Sequence, residues 1–308
     1  MAVPATRLIK KKFFTELPSL KVLSRSQDTR SEVTVYVKGF LAEGDMPENF
    51  DDWMHSHRLL VLSPAHKWAP DALGYSWPSG SSTHHIPIPL ASLSSTAYLV
   101  AKNLKQLKNL RLPTPASIVS ALTLDVGLHA ARLAYQFSIA TKESHERAEM
   151  LAWRLLDLRR KHEYLRVVGH SLGCRHIVEA CALMRPEERP DSVHLCAPAL
   201  ILSDIVNQIR AGSGGLGRTE TNIYYSHKDI TLGILLRAIL KGDQAIGEIG
   251  LPKSVGYETE WLDPTVKAMD VGKSLGGFYI GAHTDYAKKF HYFAAVNGFN
   301  KSNLNASS

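Results

Sequence analysis

Residues 165–177 read LRVVGHSLGCRHI, and the organisation of the chain is worked out from this stretch. Leu165 to Val168 is a short apolar, β-branched run, which fits a buried strand. Leu172 to Met184 has the spacing of a helix and stops before Pro186. Between them Gly169-His170-Ser171-Leu172-Gly173 fits G-x-S-x-G. That spacing has a physical cause. A serine on a sharp strand-to-helix turn sits in a strained backbone conformation, and side chains two positions away on either side would collide. The turn points the Ser171 hydroxyl out above the sheet and the N–H of Leu172 into the same space. The start of the following helix adds a field that favours negative charge.

The rest of the chain is consistent with a strand-turn-helix unit in an alternating α/β domain. Strands are predicted at Ser31 to Val37, Asp71 to Trp77, Val193 to Cys196, Asn222 to Ser226 and Val266 to Val271. Helices are predicted near Phe50 to Ser56, over Ser144 to Lys161 with Ser144 as cap, over Ile230 to Leu240 and over His283 to Phe293. Strands alternating with helices predict a mostly parallel sheet flanked by helices. Residues 78–143 are longer than a simple crossover needs. They are expected to form two or three helices, a helical insertion or cap before the turn at Ser171. Residues 31–300 form one domain in this reading, with 1–30 a basic extension and 301–308 a disordered tail.

A serine hydroxyl is a weak nucleophile at neutral pH and needs a base, usually a histidine held by a carboxylate. In a strand-turn-helix arrangement of this kind the chain order is Ser, acid, His. Among Asp204, Asp229, Asp263 and Asp270, Asp229 is best placed, because it lies just beyond the carboxyl end of a predicted strand. Asp270 is the second choice. His283 follows Gly276, Gly277 and Gly281 and precedes a helix, where a loop-borne ring can reach the serine, whereas His291 falls inside an aromatic helix. A second N–H for an oxyanion is expected from Phe40 or Leu41, with Gly39 permitting close approach.

Four stretches carry a resemblance: YVKGFL at 36–41, LRVVGHSLGCRHI at 165–177, NIYYSHKDITLGILLRAI at 222–239 and GAHTDYAKKF at 281–290. On them the chain resembles the α/β-hydrolases. Within that superfamily it is similar to the group containing the transmembrane and coiled-coil domain-containing hydrolase-like proteins. The resemblance implies the α/β-hydrolase fold, serine hydrolase chemistry of the esterase or lipase kind, and Ser171, Asp229 and His283 as a triad. The transmembrane segments of the larger relatives have no counterpart in this sequence, so their membrane residence is not carried over.

Composition bounds the alternatives. The 308 residues are 44% hydrophobic and 21% charged, a globular balance without any apolar run long enough to span a bilayer. The net charge is +7, and +5 of it sits in the first 30 residues, where seven basic side chains face Glu16 and Asp28. The nearly neutral body excludes a nucleic-acid face. For residues 7–21 the expectation is a solvated helix packed on the body, with weak contact to an anionic membrane surface as the alternative. Three cysteines without a CxxC pair read as buried free thiols of a cytoplasmic protein. No metal is expected at His55/His57 or His84/His85, and no cofactor. Gly212 to Gly217 precedes a strand instead of following one, so it reads as a flexible connection and not as a phosphate loop. The substrate expected is a small-molecule or lipid acyl ester. The rival readings are a binding or trafficking module without turnover, and a thioesterase or peptidase on the same residues.

Overall fold

The computed structural model describes residues 18–26, 32–40, 50–80, 116–229, 232, 236, 243–252, 261–275 and 280–294, with backbone alone for 116–135, 280 and 281. The strands are β1 (Ser19–Ser24), β2 (Glu32–Val37), β3 (Ala72–Ser76), β4 (Tyr164–His170), β5 (Ser192–Cys196), β6 (Glu220–Tyr225) and β7 (Val266–Asp270). The helices are α1 (Asp51–Leu62), α2 (Ala116–Lys161), α3 (Leu172–Ala182), α4 (Leu202–Ile209), the single turn α5 (Ile246–Ile249) and α6 (Ile280–Phe293). They build a seven-stranded sheet in the order β1-β3-β2-β4-β5-β6-β7. All neighbours are parallel except β1, which pairs antiparallel with β3.

From β2 the chain moves outward to β3, then returns to place β4 on the other side of β2. The order therefore reverses between β2 and β4, and a crevice opens beyond their carboxyl ends. Both Gly39-Phe40 and Ser171 follow those two ends.

The strands alternate apolar and polar residues, and the parallel register sorts them by face. Val33, Val35, Val37, Leu165, Val167, Val193, Leu195 and Ile223 share one face, all nearly inaccessible to solvent. Helices α2 and α3 pack on this side. Each such side chain contributes roughly 1.5–3 kcal/mol on burial. The opposite face carries a buried polar row, Thr34, Arg166, Ser192 and Glu220 in register, under α1 and α6. Arg166 is paired with Glu32 and lies over the Trp68 ring at 3.8 Å. A relay runs beside them. The Tyr224 hydroxyl donates to Nδ1 of His194 (2.8 Å), His194 Nε2 donates to Ser192 Oγ (2.8 Å), and Ser192 donates to Glu220 (2.7 Å). This direction follows from the last bond, since a carboxylate only accepts. Burial holds His194 well below its usual pKa, with Arg166 reinforcing it, so the ring is neutral as the relay requires.

Two expectations are corrected here. The sheet begins at Ser19, inside the segment read as a basic extension, and Lys21 is a strand residue paired with Gly74. Ser144 does not start a helix. Helix α2 runs unbroken through it from Ala116, so residues 116–143 of the insertion are the first portion of the crossover helix itself. The reason is tertiary. The Ser144 hydroxyl donates to Glu179 of α3 (2.5 Å) and its carbonyl accepts from His176 Nδ1 (3.0 Å), so its side chain no longer competes for the helix backbone. Residues 81–115, the helix expected at Ile230 to Leu240 apart from Leu232 and Leu236, and the tail 301–308 lie outside the described residues, as do residues 7–17 of the N-terminal stretch. The described helices include none long and apolar enough to cross a membrane.

Candidate active site

The turn after β4 is strained as its sequence implies. Ser171 has φ 54° and ψ −123°, a left-handed conformation that costs a non-glycine residue about 1–3 kcal/mol. The surroundings hold it there. The Ser171 N–H donates to Cys196 O (2.9 Å), and its carbonyl accepts from Cys174 N (3.1 Å) and Ala199 N (3.2 Å). Leu172 is the first residue of α3, where backbone N–H groups have no partner within the helix.

Packing against backbone leaves no room for a Cβ on Gly173 and little on Gly169, the glycines two positions to either side of the serine. A Cβ on Gly173 would lie 2.5 Å from Lys38 O and 2.6 Å from Val37 O, and one on Gly169 would lie 2.5 Å from Ile177 Cδ1. On the β2 side, a Cβ on Gly39 would lie 2.7 Å from His170 O and 2.8 Å from Ser171 Cβ. Gly39 thus brings the backbone of Lys38-Gly39-Phe40 against the serine. Trp77 Nε1 donates to Lys38 O (2.9 Å), and the Phe40 ring meets Phe137 of α2 edge-on, with centroids 5.4 Å apart. Leu41, the other oxyanion donor considered, lies outside the described residues.

Asp229 follows β6 and is buried. Its Oδ1 accepts from Leu232 N (3.1 Å) and its Oδ2 accepts from His283 Nδ1 (2.7 Å). That bond fixes the neutral His283 ring as the Nδ1–H tautomer and leaves Nε2 with a lone pair. The other candidates are used elsewhere. Asp204 pairs with Arg175 and accepts from Ile201 N (2.9 Å) at the start of α4. Asp263 accepts from Gly214 N (2.8 Å), and Asp270 accepts from Gly272 N (2.9 Å). His291 Nδ1 lies 3.2 Å from Ser56 Oγ, on the seam between α1 and α6.

His170, singled out only as part of the G-x-S-x-G pattern, turns out to touch the histidine. Its Nε2 donates to the His283 carbonyl (2.9 Å), and the two rings lie 4.7 Å apart. Trp53 of α1 and Tyr286 of α6 enclose the His170 ring at 6.2 and 6.0 Å. Burial, then the neighbouring His283, pushes its pKa down to about 3, so it is neutral. No local signal could have found this contact, because the two residues are 113 positions apart.

Cys174 and Cys196 are buried behind the turn, and burial drives both thiols well above their usual pKa. The Gly212 to Gly217 connection is tied down: Leu216 N and Gly217 N both donate to Thr221 Oγ1 (3.0 Å each). Among the described residues no cluster of three or more His, Cys, Asp or Glu could hold a metal ion. His57 is buried and bonded to the Tyr36 hydroxyl (2.9 Å), and His84 and His85 lie outside the described residues.

A mostly parallel sheet whose strained strand-to-helix serine stands at the point of order reversal is the α/β-hydrolase fold. No family model matches the chain, and no curated protein matches it. Among solved structures it is similar to esterase 2 of Thermogutta terrifontis phosphorylated by paraoxon, with 11% identity over 90% of this chain and 89% of that one and a TM-score of 0.37. It is also similar to an acetyl ester-xyloside bifunctional hydrolase from Caldicellulosiruptor lactoaceticus (12% identity, 90% and 88% covered, TM-score 0.32). A third is esterase B from Lactobacillus rhamnosis inhibited with a tributyrin phosphonate (9% identity, 89% and 80% covered, TM-score 0.35). The fold assignment rests on the strand order and the turn at Ser171.

Proposed function

We propose that the protein is a serine hydrolase that cleaves an acyl ester through an acyl-enzyme. The observation that carries this reading is the 2.7 Å hydrogen bond from His283 to buried Asp229, on the residue whose backbone is clasped by the neighbour of strained Ser171. In the reaction His283 Nε2 takes the Ser171 proton as Oγ attacks the acyl carbonyl. Asp229 holds the ring in the correct tautomer and stabilises the imidazolium. The N–H groups of Leu172 and Phe40 receive the negative charge that develops on the carbonyl oxygen. His283 then protonates the departing alcohol, takes a proton from the water that attacks the acyl-enzyme, and returns it to Ser171 Oγ as the carboxylic acid leaves. The four stretches that carry the family resemblance supply Phe40, Ser171, Asp229 and His283 in this scheme. No cofactor takes part.

The reading is tested with a fluorophosphonate probe and p-nitrophenyl esters. Ser171→Ala should abolish labelling and lower kcat at least about 10³-fold while leaving the urea midpoint unchanged. A folded wild-type protein that neither labels nor turns over any ester, or a Ser171→Ala variant that stays active, overturns it. The aromatic pair Phe40 and Phe137 beside the oxyanion donor favours an apolar acyl group, small-molecule or lipid. kcat/KM should therefore rise from acetyl to octanoyl esters, and a preference for acetyl would remove the lipid-like substrate from the proposal.

A further inference from the structure

We propose that His170 is a positioning residue that clamps the first turn of α6 and thereby sets where the His283 ring stands. The clamp is a hydrogen bond and a ring contact made together. A backbone carbonyl only accepts, so the 2.9 Å contact from His170 Nε2 to His283 O requires the proton on Nε2. Within α6 that carbonyl already has a helical partner, so His170 occupies its second lone pair. The bond holds the backbone of residue 283, while the 4.7 Å ring contact and the bond to Asp229 Oδ2 both restrict the side chain. With the backbone held, Nδ1 bonded and the ring in contact with His170, few rotamers of His283 remain.

The clamp is built into the same turn as the nucleophile. His170 is covalently joined to Ser171 and is the last residue of β4, whose register with β2 and β5 is fixed by the sheet. Serine and histidine are thus positioned from one mount, although they come from elements more than a hundred residues apart. His170 is itself immobilised by Trp53 from α1 and Tyr286 from α6, the two helices that pack against one another on this face. The neutral ring carries a single proton, and the bond to the His283 carbonyl places it on Nε2.

The kinetic consequence rests on the serine-hydrolase reading, whereas the clamp itself is measurable without turnover. His170→Phe and His170→Met fill the space without a donor, and His170→Gln returns an N–H near the Nε2 position. Two readouts are taken on folded protein. The first is kcat and KM on p-nitrophenyl esters. The second is the low-field proton resonance of His283 Nδ1–H, assigned by its loss in Asp229→Asn. In the Phe and Met variants kcat should fall about 10- to 100-fold with KM within about twofold of wild type, as expected for a misplaced base. The resonance should broaden or move upfield, and His170→Gln should recover both. An unchanged resonance in the Phe and Met variants overturns the clamp, and so does a Gln variant as impaired as they are. If wild type fails to label at Ser171, the serine-hydrolase reading falls, and the resonance comparison still decides the clamp.

Discussion

At the scale of single residues, the site is a set of close approaches that leave no room for a methyl group. Gly39 is the sharpest case. Its missing Cβ would stand 2.7 Å from His170 O and 2.8 Å from Ser171 Cβ, so Gly39→Ala must push the β2 loop away from the turn or distort the turn. In the proposed scheme both movements take the Phe40 N–H from where the oxyanion would form. Loss of one such donor costs about 10²- to 10³-fold in kcat. We expect Gly39→Ala to show that loss in steady-state kinetics, with fluorophosphonate labelling slowed and the fold retained by circular dichroism. Wild-type kcat in this variant would remove Phe40 from the oxyanion role.

At the scale of elements, helix α2 links the aliphatic face of the sheet to the mouth of the crevice. Its buried residues include Phe137, Ala140, Ser144, Ala148, Leu151 and Leu155, and it packs chiefly on α3. The Ser144–Glu179 and Ser144–His176 bonds pin it near its middle, and Phe137 lies two turns further toward its amino end, against Phe40. Removing the ring leaves a cavity that the pinned helix cannot close. Phe137→Ala should cost about 3 kcal/mol in urea unfolding and lower kcat/KM for octanoyl more than for acetyl esters. Equal losses on both esters would separate the stability effect from any role in acyl recognition.

At the scale of the whole molecule, buried neutral histidines make stability depend on acidity. His57, His176 and His194 are buried to within about 1% of complete inaccessibility. Burial lowers the pKa of His57 and of His176 to about 4 each, and that of His194 well below its usual value. His170 is shifted likewise, but it retains some solvent exposure and is set aside. The unfolded chain protonates these rings near pH 6.5 and the folded chain does not, so the unfolded state binds more protons below that pH. Their stabilising effect is complete above pH 6.5 and is lost as pH falls through the folded values. Each ring contributes a slope of about 1.4 kcal/mol per pH unit within that window. Glu179 and Asp191 act in the opposite direction, since burial raises their pKa values, and they offset part of the loss. Three histidines at that slope remove about 6 kcal/mol between pH 6.5 and pH 5, a large share of a total stability of about 5–15 kcal/mol. Urea midpoints measured from pH 7.5 to 4.5 should fall steeply below pH 6.5. A flat profile would mean that these rings titrate normally, through access to water.

What the sequence determined by itself is what short-range physics controls. The period-two alternation in EVTVYV and the break at G-x-S-x-G depend on neighbours within a few residues, so strand, turn and helix around Ser171 were legible, as was the alternation of elements that makes a parallel sheet. The order Ser, Asp, His along the chain singled out residues 229 and 283, but the hydrogen bond between them, across 54 positions, is a product of the sheet and not of either segment. Four features were decided only by the tertiary structure. SLKVLS became β1 because the edge of β3 offers unpaired backbone groups, a fact absent from a stretch that reads locally as part of a basic segment. Ser144 stayed inside α2 because Glu179 and His176 satisfy it from another helix. Arg166 is buried on a strand because Glu32, from another strand, and the Trp68 ring meet it there, and His170 holds His283 because β4 ends where α6 begins in space. In each case the deciding free energy comes from groups far apart in the chain, whose contact exists only once the sheet has formed.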